Sequence, residues 1–410
     1  MNPYVIIGNG TAACGCIEGI RSVDQDTPIL VLSEEKYPVY GRPLISYYLE
    51  GKTDLKHMHY RDADFYEKNQ VQVLYGQKAA ALHPDLHEIL TDQGAVIAYS
   101  KACVATGSAP FIPPMDGLEQ VQKKYAFMTL DDALALEKAL MPDARVLIIG
   151  AGLIGLKCAE GIRDRVGSIT ICDLADHILS SILGPEEASI VQNHLEKNGL
   201  TFCLGDTAVR FEENKAFMCS GKQIDFDVLV LAVGVRANIS LIKEAGGQTD
   251  RGILTDTHMA TDLPDVFAAG DCCQGYDLST GQNRILAILP NAYMQGFAAG
   301  VNMTGADQVF AQGIPMNSIG FFGLHLMSAG IYAGEIKDIP VEGGLKRFYI
   351  QDGLLKGYIL IGQTERAGIY TSLIREQIPL EQLDFDLLSK TATSAAFSSD
   401  IRRKKFGGRV

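Results

Sequence analysis

The chain has 410 residues, 47 % hydrophobic and 21 % charged, a balance that suits two or three packed domains and excludes a disordered chain. Its 42 glycines follow no three-residue period, which excludes a collagen-like rod. With 36 Lys+Arg against 49 Asp+Glu the net charge is −13, which argues against nucleic acid as the main ligand and suits a basic partner.

The start, Met1 to Gly8, has no basic segment and no long apolar stretch, so no signal peptide is expected. Tyr4 to Ile7 is a short apolar run ending at Gly8 and predicts a buried parallel strand. A helical pattern follows from Thr11 to Ser22, and a second strand runs from Ile29 to Leu32, giving one βαβ unit. Lys101 to Pro110 reads as a strand ending in a Gly/Pro turn, and 111–114 as a linker. About 140 residues after the first unit the same syntax returns as an internal repeat. Its parts are the strand Arg145 to Ile149, the turn Gly150 to Gly155, a helix from Leu156 to Asp164 and the strand Ile169 to Cys172. The longest apolar runs, such as Val146 to Leu156, are about half a membrane span, so no span is expected. Val228 to Gly234 closes the second unit, and Asp265 to Asp271 predicts another buried strand with a Gly-Asp end. Further on, Phe348 to Ile361 reads as two strands joined at Asp352-Gly353, with a helix from about Ala367 to Gln377. The last ten residues, with Arg402, Arg403, Lys404, Lys405 and Arg409, read as a loose, solvated tail.

The two glycine-rich turns carry the chemistry. Gly8-x-Gly10-x-x-Ala13 follows a strand and opens a helix. Gly8 permits the tight turn, Gly10 lets backbone approach a pyrophosphate, and the small Ala13 lets helix and strand pack closely. The helix start then offers free N–H groups and a positive dipole to phosphate. An acidic pair, Glu34-Glu35, stands where a ribose contact is expected. Gly150-x-Gly152-x-x-Gly155 is the fuller match, with Leu153 and Ile154 between its glycines and Asp173 lying 23 residues after Gly150. A carboxylate there accepts from the hydroxyls of an adenosine ribose and repels a 2′-phosphate; the following Leu174 to His177 supplies no Arg, so NADH is expected over NADPH. The plain alternative for either triplet is an ordinary tight turn. Nine cysteines are spread through the chain with no Cys-x-x-Cys and no zinc or iron–sulfur spacing, so no metal site is expected and a cytoplasmic, reduced protein fits best.

At this point the residues carry a resemblance. The chain resembles the two-dinucleotide-binding flavoproteins of the pyridine nucleotide–disulfide oxidoreductase superfamily. It is most similar there to NADH-dependent rubredoxin and ferredoxin reductases and to the flavin-binding part of nitrite reductase large subunits. The motifs are Gly8-x-Gly10, Tyr37 to Ser46 with Arg42-Pro43, Ala105-Thr106-Gly107, Gly150-x-Gly152-x-x-Gly155, Ala232 to Arg236 with Gly234, and Ala269-Gly270-Asp271. The resemblance implies an α/β fold with two Rossmann-like domains. A discontinuous FAD domain would span 1–112 and 243–310, an inserted NADH domain 113–242, and a C-terminal α/β domain 311–410. It implies FAD at Gly8, Gly10, Thr11, Ala12 and Ala13, with Glu35, or alternatively Glu34, on the ribose. Arg42, Pro43, Ala79 and Ala105 to Gly107 would complete the FAD site, with Gly270-Asp271 near the ribityl chain and Asn291-Ala292 at the flavin N1/O2 edge. NADH would lie on the Gly150 turn with Asp173, and Gly234 would line the channel.

Two departures matter within this resemblance. Ferredoxin reductases usually carry Lys where this chain has Tyr47, and many relatives carry Glu where it has Lys157. Lys157 is expected either to bring positive charge near the flavin–nicotinamide stack or to be a plain solvent-facing helix lysine, and Tyr47 is a second candidate tuning residue. The stretch Gly41 to Tyr47 has no cysteine, so both the dithiol relay and the sulfenate chemistry of relatives lack their reactive group. Cys14, Cys16, Cys272 and Cys273 read as small buried residues. What remains is hydride transfer from NADH to flavin and electron release to a rubredoxin, a ferredoxin or an iron–sulfur subunit. An NADH oxidase using oxygen and an NADH-input subunit of a larger assembly are the alternatives. The C-terminal domain is the expected docking or homodimer surface.

Overall fold

The computed structural model describes residues 2–406. They divide into two compact units, one of residues up to 179, 199–277 and 282–313, the other of 180–198, 278–281 and 314 onward.

In the first unit two parallel five-stranded sheets repeat one plan. Tyr4–Ile7 lies at the centre of the first, all four residues buried. It is flanked by Ile29–Ser33 and Lys101–Val104, with Val71–Tyr75 and Val266–Ala268 at the edges. Runs of Val, Ile and Leu buried on both faces suit such a sheet. Arg145–Ile149 lies at the centre of the second, between Ser168–Asp173 and Val228–Leu231, with Leu200–Leu204 and Lys124–Tyr125 outside. In each sheet the glycine turn leaves the carboxyl end of the central strand, where the strand order reverses, and that is the crevice in which such sheets bind ligands. Helix α1 (Thr11–Arg21) follows the first turn. Then come α2 (Leu44–Leu49), α3 (Leu130–Glu137) and α4 (Leu153–Ile162), the last following the second turn. α5 (Leu289–Met303) closes on α1. That packing is backbone to backbone: a Cβ on Gly15 would stand 2.2 Å from Tyr293 O, and one on Gly296 2.0 Å from Ala12 O. The chain passes between the two modules twice, at Ser108–Pro110 and Val235–Ala237, and these segments pair as an antiparallel ribbon.

In the second unit five antiparallel strands run in the order Met316–Phe321, Leu324–Gly330, Leu354–Ile361, Gly344–Gln351, Glu335–Val341. The hairpin expected at Asp352-Gly353 is there, both residues taking positive φ (53° and 69°), as a two-residue turn between twisted strands requires. Helix α6 (Gly368–Glu376) covers the sheet, and Phe348, Tyr358 and Tyr370 fill the core beneath it. The helix Pro185–Lys197, expected within 113–242, groups with this unit. Its Glu186 and Glu187 accept from Arg347 at 2.8 and 2.5 Å, beside Asp338 at 2.6 Å. The loose tail is corrected in part: Ser399–Phe406 forms a helix, α7, with Asp400 at its dipole-favoured start and Arg402 and Arg403 further along. Positions 407–410, including Arg409, lie outside the described residues. Among the described residues no helix is long and apolar enough to cross a membrane.

Candidate functional site

The first turn is built as a cradle. Gly8 takes φ +112°, and a Cβ there would stand 2.2 Å from Ala105 O, so only glycine lets the turn rest on the 105–107 loop. At Gly10 a Cβ would meet nothing within 4 Å; this is the open side of the cradle. Gly10 is also the N-cap of α1 and provides no side-chain bond, so the first-turn N–H groups of Thr11, Ala12 and Ala13 have no side-chain cap. Gly270 closes the cradle, since a Cβ on it would lie 3.0 Å from Ala12 Cβ and 3.7 Å from Ala292 Cβ. The structure therefore brings Gly8 to Ala13, Ala105 to Gly107, Gly270-Asp271 and Asn291-Ala292 to one edge. Burial pushes the Asp271 carboxyl up, and Arg42 and Ser108 oppose that shift. α5 begins just before Asn291 with Ile288 as an N-cap that makes no side-chain bond, so its positive end is also uncapped by a side chain. Ala79 sits on a separate antiparallel strand, Ala79–His83, opposite Thr91.

The two candidate ribose acids differ. Glu34 is 69 % exposed and pairs with Lys78 at 3.2 Å. Glu35 is held: one oxygen takes Arg42 at 2.5 Å and the other accepts from the Tyr40 hydroxyl at 2.6 Å. Two donors, one on each oxygen, fix the orientation of a carboxylate and leave its remaining acceptor sites for another group. Pro43 stands at the N-cap position of α2 and makes no side-chain bond.

The second turn repeats the design with one change. Gly150 takes φ +113°, with its would-be Cβ 2.2 Å from Ala232 O, and Gly152 faces open space as the uncapped start of α4. Gly155 is obligatory because a Cβ would stand 2.0 Å from Gly150 O. Leu153 and Ile154 are half-buried. Asp173 clasps its own turn, accepting from Ala151 N–H at 2.7 Å and from Ala175 N–H at 2.9 Å. Beyond it Leu174 is 74 % exposed and His177 pairs with Asp176, and the segment 174–177 contains no Arg. Gly234, at φ +116°, opens to space while its carbonyl accepts from Phe111 N–H at 2.9 Å.

The solvent-facing reading of Lys157 is corrected. Its side chain is only 13 % exposed, ion-paired to Glu160 at 5 %, and its ammonium lies 4.5 Å from the centre of the Tyr47 ring. The cause is helix packing: α2 presses on α4 where Gly161, lacking a Cβ, leaves room for Ser46 O. Cys14, Cys16, Cys272 and Cys273 are buried and free, and burial raises the Cys14 thiol to about 12. Among the described residues no cluster of His, Cys, Asp or Glu could hold a metal. Sequence reasoning gave no role to Tyr40 or to Gln295, whose Oε1 accepts from Gly270 N–H at 2.8 Å. Tyr40 lies five residues from Glu35, but its second partner, the Leu130 amide, is 90 residues away.

Two glycine cradles facing open space, each with an uncapped helix start and an oriented acid, fit two dinucleotides. A model of the pyridine nucleotide-disulphide oxidoreductase family matches residues 2–296. The chain is 31 % identical over 395 residues to subunit epsilon of the NADH-dependent phenylglyoxylate dehydrogenase of Aromatoleum evansii, covering 93 % of each. It is 28 % identical over 397 residues to the nitrite reductase (NAD(P)H) of Bacillus subtilis strain 168, covering 92 % of this chain and 48 % of that one. The chain thus spans about half the length of that relative. Putidaredoxin reductase, solved in covalent complex with putidaredoxin, shares the fold with a TM-score of 0.88 at 22 % identity, over 96 % of this chain and 97 % of that one.

Proposed function

The chain belongs to the pyridine nucleotide-disulphide oxidoreductase family, whose members bind FAD and NAD(H), and from that premise we propose that it carries electrons from NADH through FAD to a small rubredoxin- or ferredoxin-type protein. One observation carries the reading: two complete dinucleotide cradles lie on one unit, while the stretch Gly41 to Tyr47 brings no thiol to them. FAD, when bound, supplies a hydride acceptor that can release its electrons singly.

The residues do the binding and orienting. Gly8, Gly10 and the amides of Thr11 to Ala13 take the FAD pyrophosphate, and Glu35, fixed by Arg42 and Tyr40, takes the ribose hydroxyls. Asp271 and the 105–107 loop hold the middle of the cofactor. The uncapped start of α5, at Asn291-Ala292, places positive dipole where reduced flavin gathers charge. Gly150 to Gly155 and Asp173 hold NADH, and a carboxylate beside an exposed Leu174 rejects a 2′-phosphate. Lys157, held by Glu160 over Tyr47, is the proposed tuning cation, and an unchanged flavin potential in Lys157→Ala would remove it from that role. The FAD module comprises 1–112 and 243–310, the NADH module 113–242, and residues 311–410 offer the docking or dimer surface. Nine free cysteines favour the cytoplasm.

The Aromatoleum relative is a subunit of a dehydrogenase and aligns over nearly its full length, which favours a second reading in which this chain is the NADH-input subunit of an assembly. Anaerobic stopped-flow with FAD-loaded protein tests both. Fast flavin bleaching by NADH and recovery with oxidised rubredoxin or ferredoxin support the first. Bleaching with recovery only on adding a co-purified iron–sulfur subunit supports the second, fast recovery with oxygen points to an oxidase, and no bleaching overturns the NADH site.

A further inference from the structure

The Tyr40 hydroxyl stands where the two modules meet. It donates to Glu35 Oε2 at 2.6 Å and accepts from Leu130 N–H at 2.8 Å. Leu130 is the first residue of α3, so its amide is one of the orphan donors of a helix start. The capping box of α3, between Thr129 and Asp132, satisfies its neighbours and leaves this amide to Tyr40. The polarity of the chain is fixed, because an amide only donates and a carboxylate only accepts. Tyr40 is 8 % exposed, and burial together with the Glu35 charge holds its hydroxyl in the protonated form.

A second bridge runs parallel to the first. Arg42 takes the other oxygen of Glu35, and its remaining terminal nitrogen donates to Met128 O at 3.3 Å. Glu35 thus reaches the segment 128–130 by two routes, one ending on an amide and one on a carbonyl. Tyr37, from the same loop, bonds Asp131 at 2.7 Å but has no hydrogen bond to Glu35.

We propose that Tyr40 is a positioning residue that couples the adenosine-ribose end of the FAD site to the NADH-binding module, so that a cofactor seated on Glu35 sets α3 and, through the Glu137–Arg165 pair that ties α3 to the segment following α4, the approach of the second dinucleotide. This rests on the reading of Glu35 as the ribose acceptor. A ribose hydroxyl on the remaining acceptor sites of Glu35 would align the carboxylate, the aligned carboxylate orients the Tyr40 hydroxyl, and the hydroxyl holds the start of α3. The effect falls on geometry, not on the Gly150 cradle, so it separates the rate of hydride transfer from the affinity of the second site.

Three measurements on Tyr40→Phe, Glu35→Gln and the double variant test the coupling. They are the FAD dissociation constant of the apoprotein, the ADP-ribose dissociation constant of the FAD-loaded protein, and the limiting rate of flavin reduction at saturating FAD and NADH. Tyr40→Phe is expected to weaken FAD about tenfold and to slow limiting reduction about fivefold with ADP-ribose affinity unchanged. The double variant is expected to be no worse than the worse single variant, because both act on one chain of bonds. Tyr37→Phe, which removes a bond to α3 but none to Glu35, is the control and leaves FAD affinity alone. Should Tyr40→Phe not yield folded protein, Arg42→Lys, which shortens the reach to Met128 O, is expected to give the same split. A limiting rate untouched in Tyr40→Phe or Arg42→Lys overturns the coupling while leaving the ribose reading intact. An FAD affinity untouched in Glu35→Gln overturns the ribose reading, and the coupling with it.

Discussion

The two glycine turns of the first unit share a strand order and a motif, yet they are finished differently. Around the first, α1 is buried along nearly its whole length and locked to α5 through backbone contacts that only glycine permits. Around the second, the first turn of α4 is half open, with Leu153 and Ile154 partly exposed and Leu174 standing in solvent beyond Asp173. The acids differ in the same sense. Glu35 is oriented by side chains of its own connection, Tyr40 and Arg42, whereas Asp173 is oriented by backbone amides, one from the glycine turn and one two residues further on. One motif can therefore be embedded deeply enough to retain a cofactor, or left shallow enough to exchange one. The contrast lies in what surrounds the turn.

The sharpest way to break this contrast is to overfill both helix contacts. Gly296→Ala puts a methyl 2.0 Å from Ala12 O and is expected to cost about 3 kcal/mol with loss of bound FAD, read by chemical denaturation and flavin content. Gly161→Ala meets Ser46 O at 2.7 Å and is expected to cost about 1 kcal/mol with FAD retained. Equal losses at the two positions would erase the contrast. Next comes Asp173→Ala, expected to raise KM for NADH by about 10- to 100-fold with flavin content intact, since it removes charged hydrogen bonds from the exchangeable site alone.

Asp271 gives a pH test of the embedded site. Burial raises its folded pKa above the unfolded value of about 3.9, so the folded apoprotein holds this proton more tightly. Its contribution to stability is therefore full below about pH 4 and is lost as pH rises. Asp271→Asn is expected to make the apoprotein more stable than the parent at pH 7, with the gain vanishing in acid, while FAD affinity falls about tenfold. Denaturation of both apoproteins across pH checks the sign.

The smallest effect lies in the connection that follows α1. Asp24 accepts from the Asp26 and Thr27 amides, chiefly Thr27, and its carboxyl sits at about 2. Here the sign is opposite: the stabilisation is present above about pH 4 and fades as pH falls towards 2. Solvent screening keeps Asp24→Ala to about 1 kcal/mol or less, measurable as a shift in the acid limb of the stability profile.

The elements buried on both faces were legible in the sequence. Tyr4–Ile7 and Arg145–Ile149 appear within their predicted bounds because an uninterrupted apolar run flanked by a glycine turn has few other uses. The turn at Asp352-Gly353 was legible because its residues tolerate positive φ. α4 begins at Leu153, three residues earlier than expected, since the helix starts inside the glycine turn with Gly152 at its N-cap position. The half-exposed strand Glu335–Val341 lacks a clear run and gives little signal. The helix Ser399–Phe406 was hidden by charge that reads as solvated chain. At the site, the glycines and acids are local signals. What links Glu35 to the second module is not: Tyr40 meets Leu130 across 90 residues, and no spacing rule reports that.

The edge strand Val266–Ala268 and helix α5 complete the first module, yet both are encoded after the entire second one. A nascent chain must therefore carry an unfinished sheet, and the bare glycine face of α1, across some 160 residues of further synthesis, on the order of ten to thirty seconds at typical elongation rates. The sheet strands of the second module, from Lys124 to Leu231, follow one another without interruption by the first and are free to pair in that interval. The antiparallel ribbon at Ser108–Pro110 and Val235–Ala237 then brings the two passages together and returns the chain beside the strand it must join. Birth order and completion order are reversed, and the half of the molecule translated first is the one that waits.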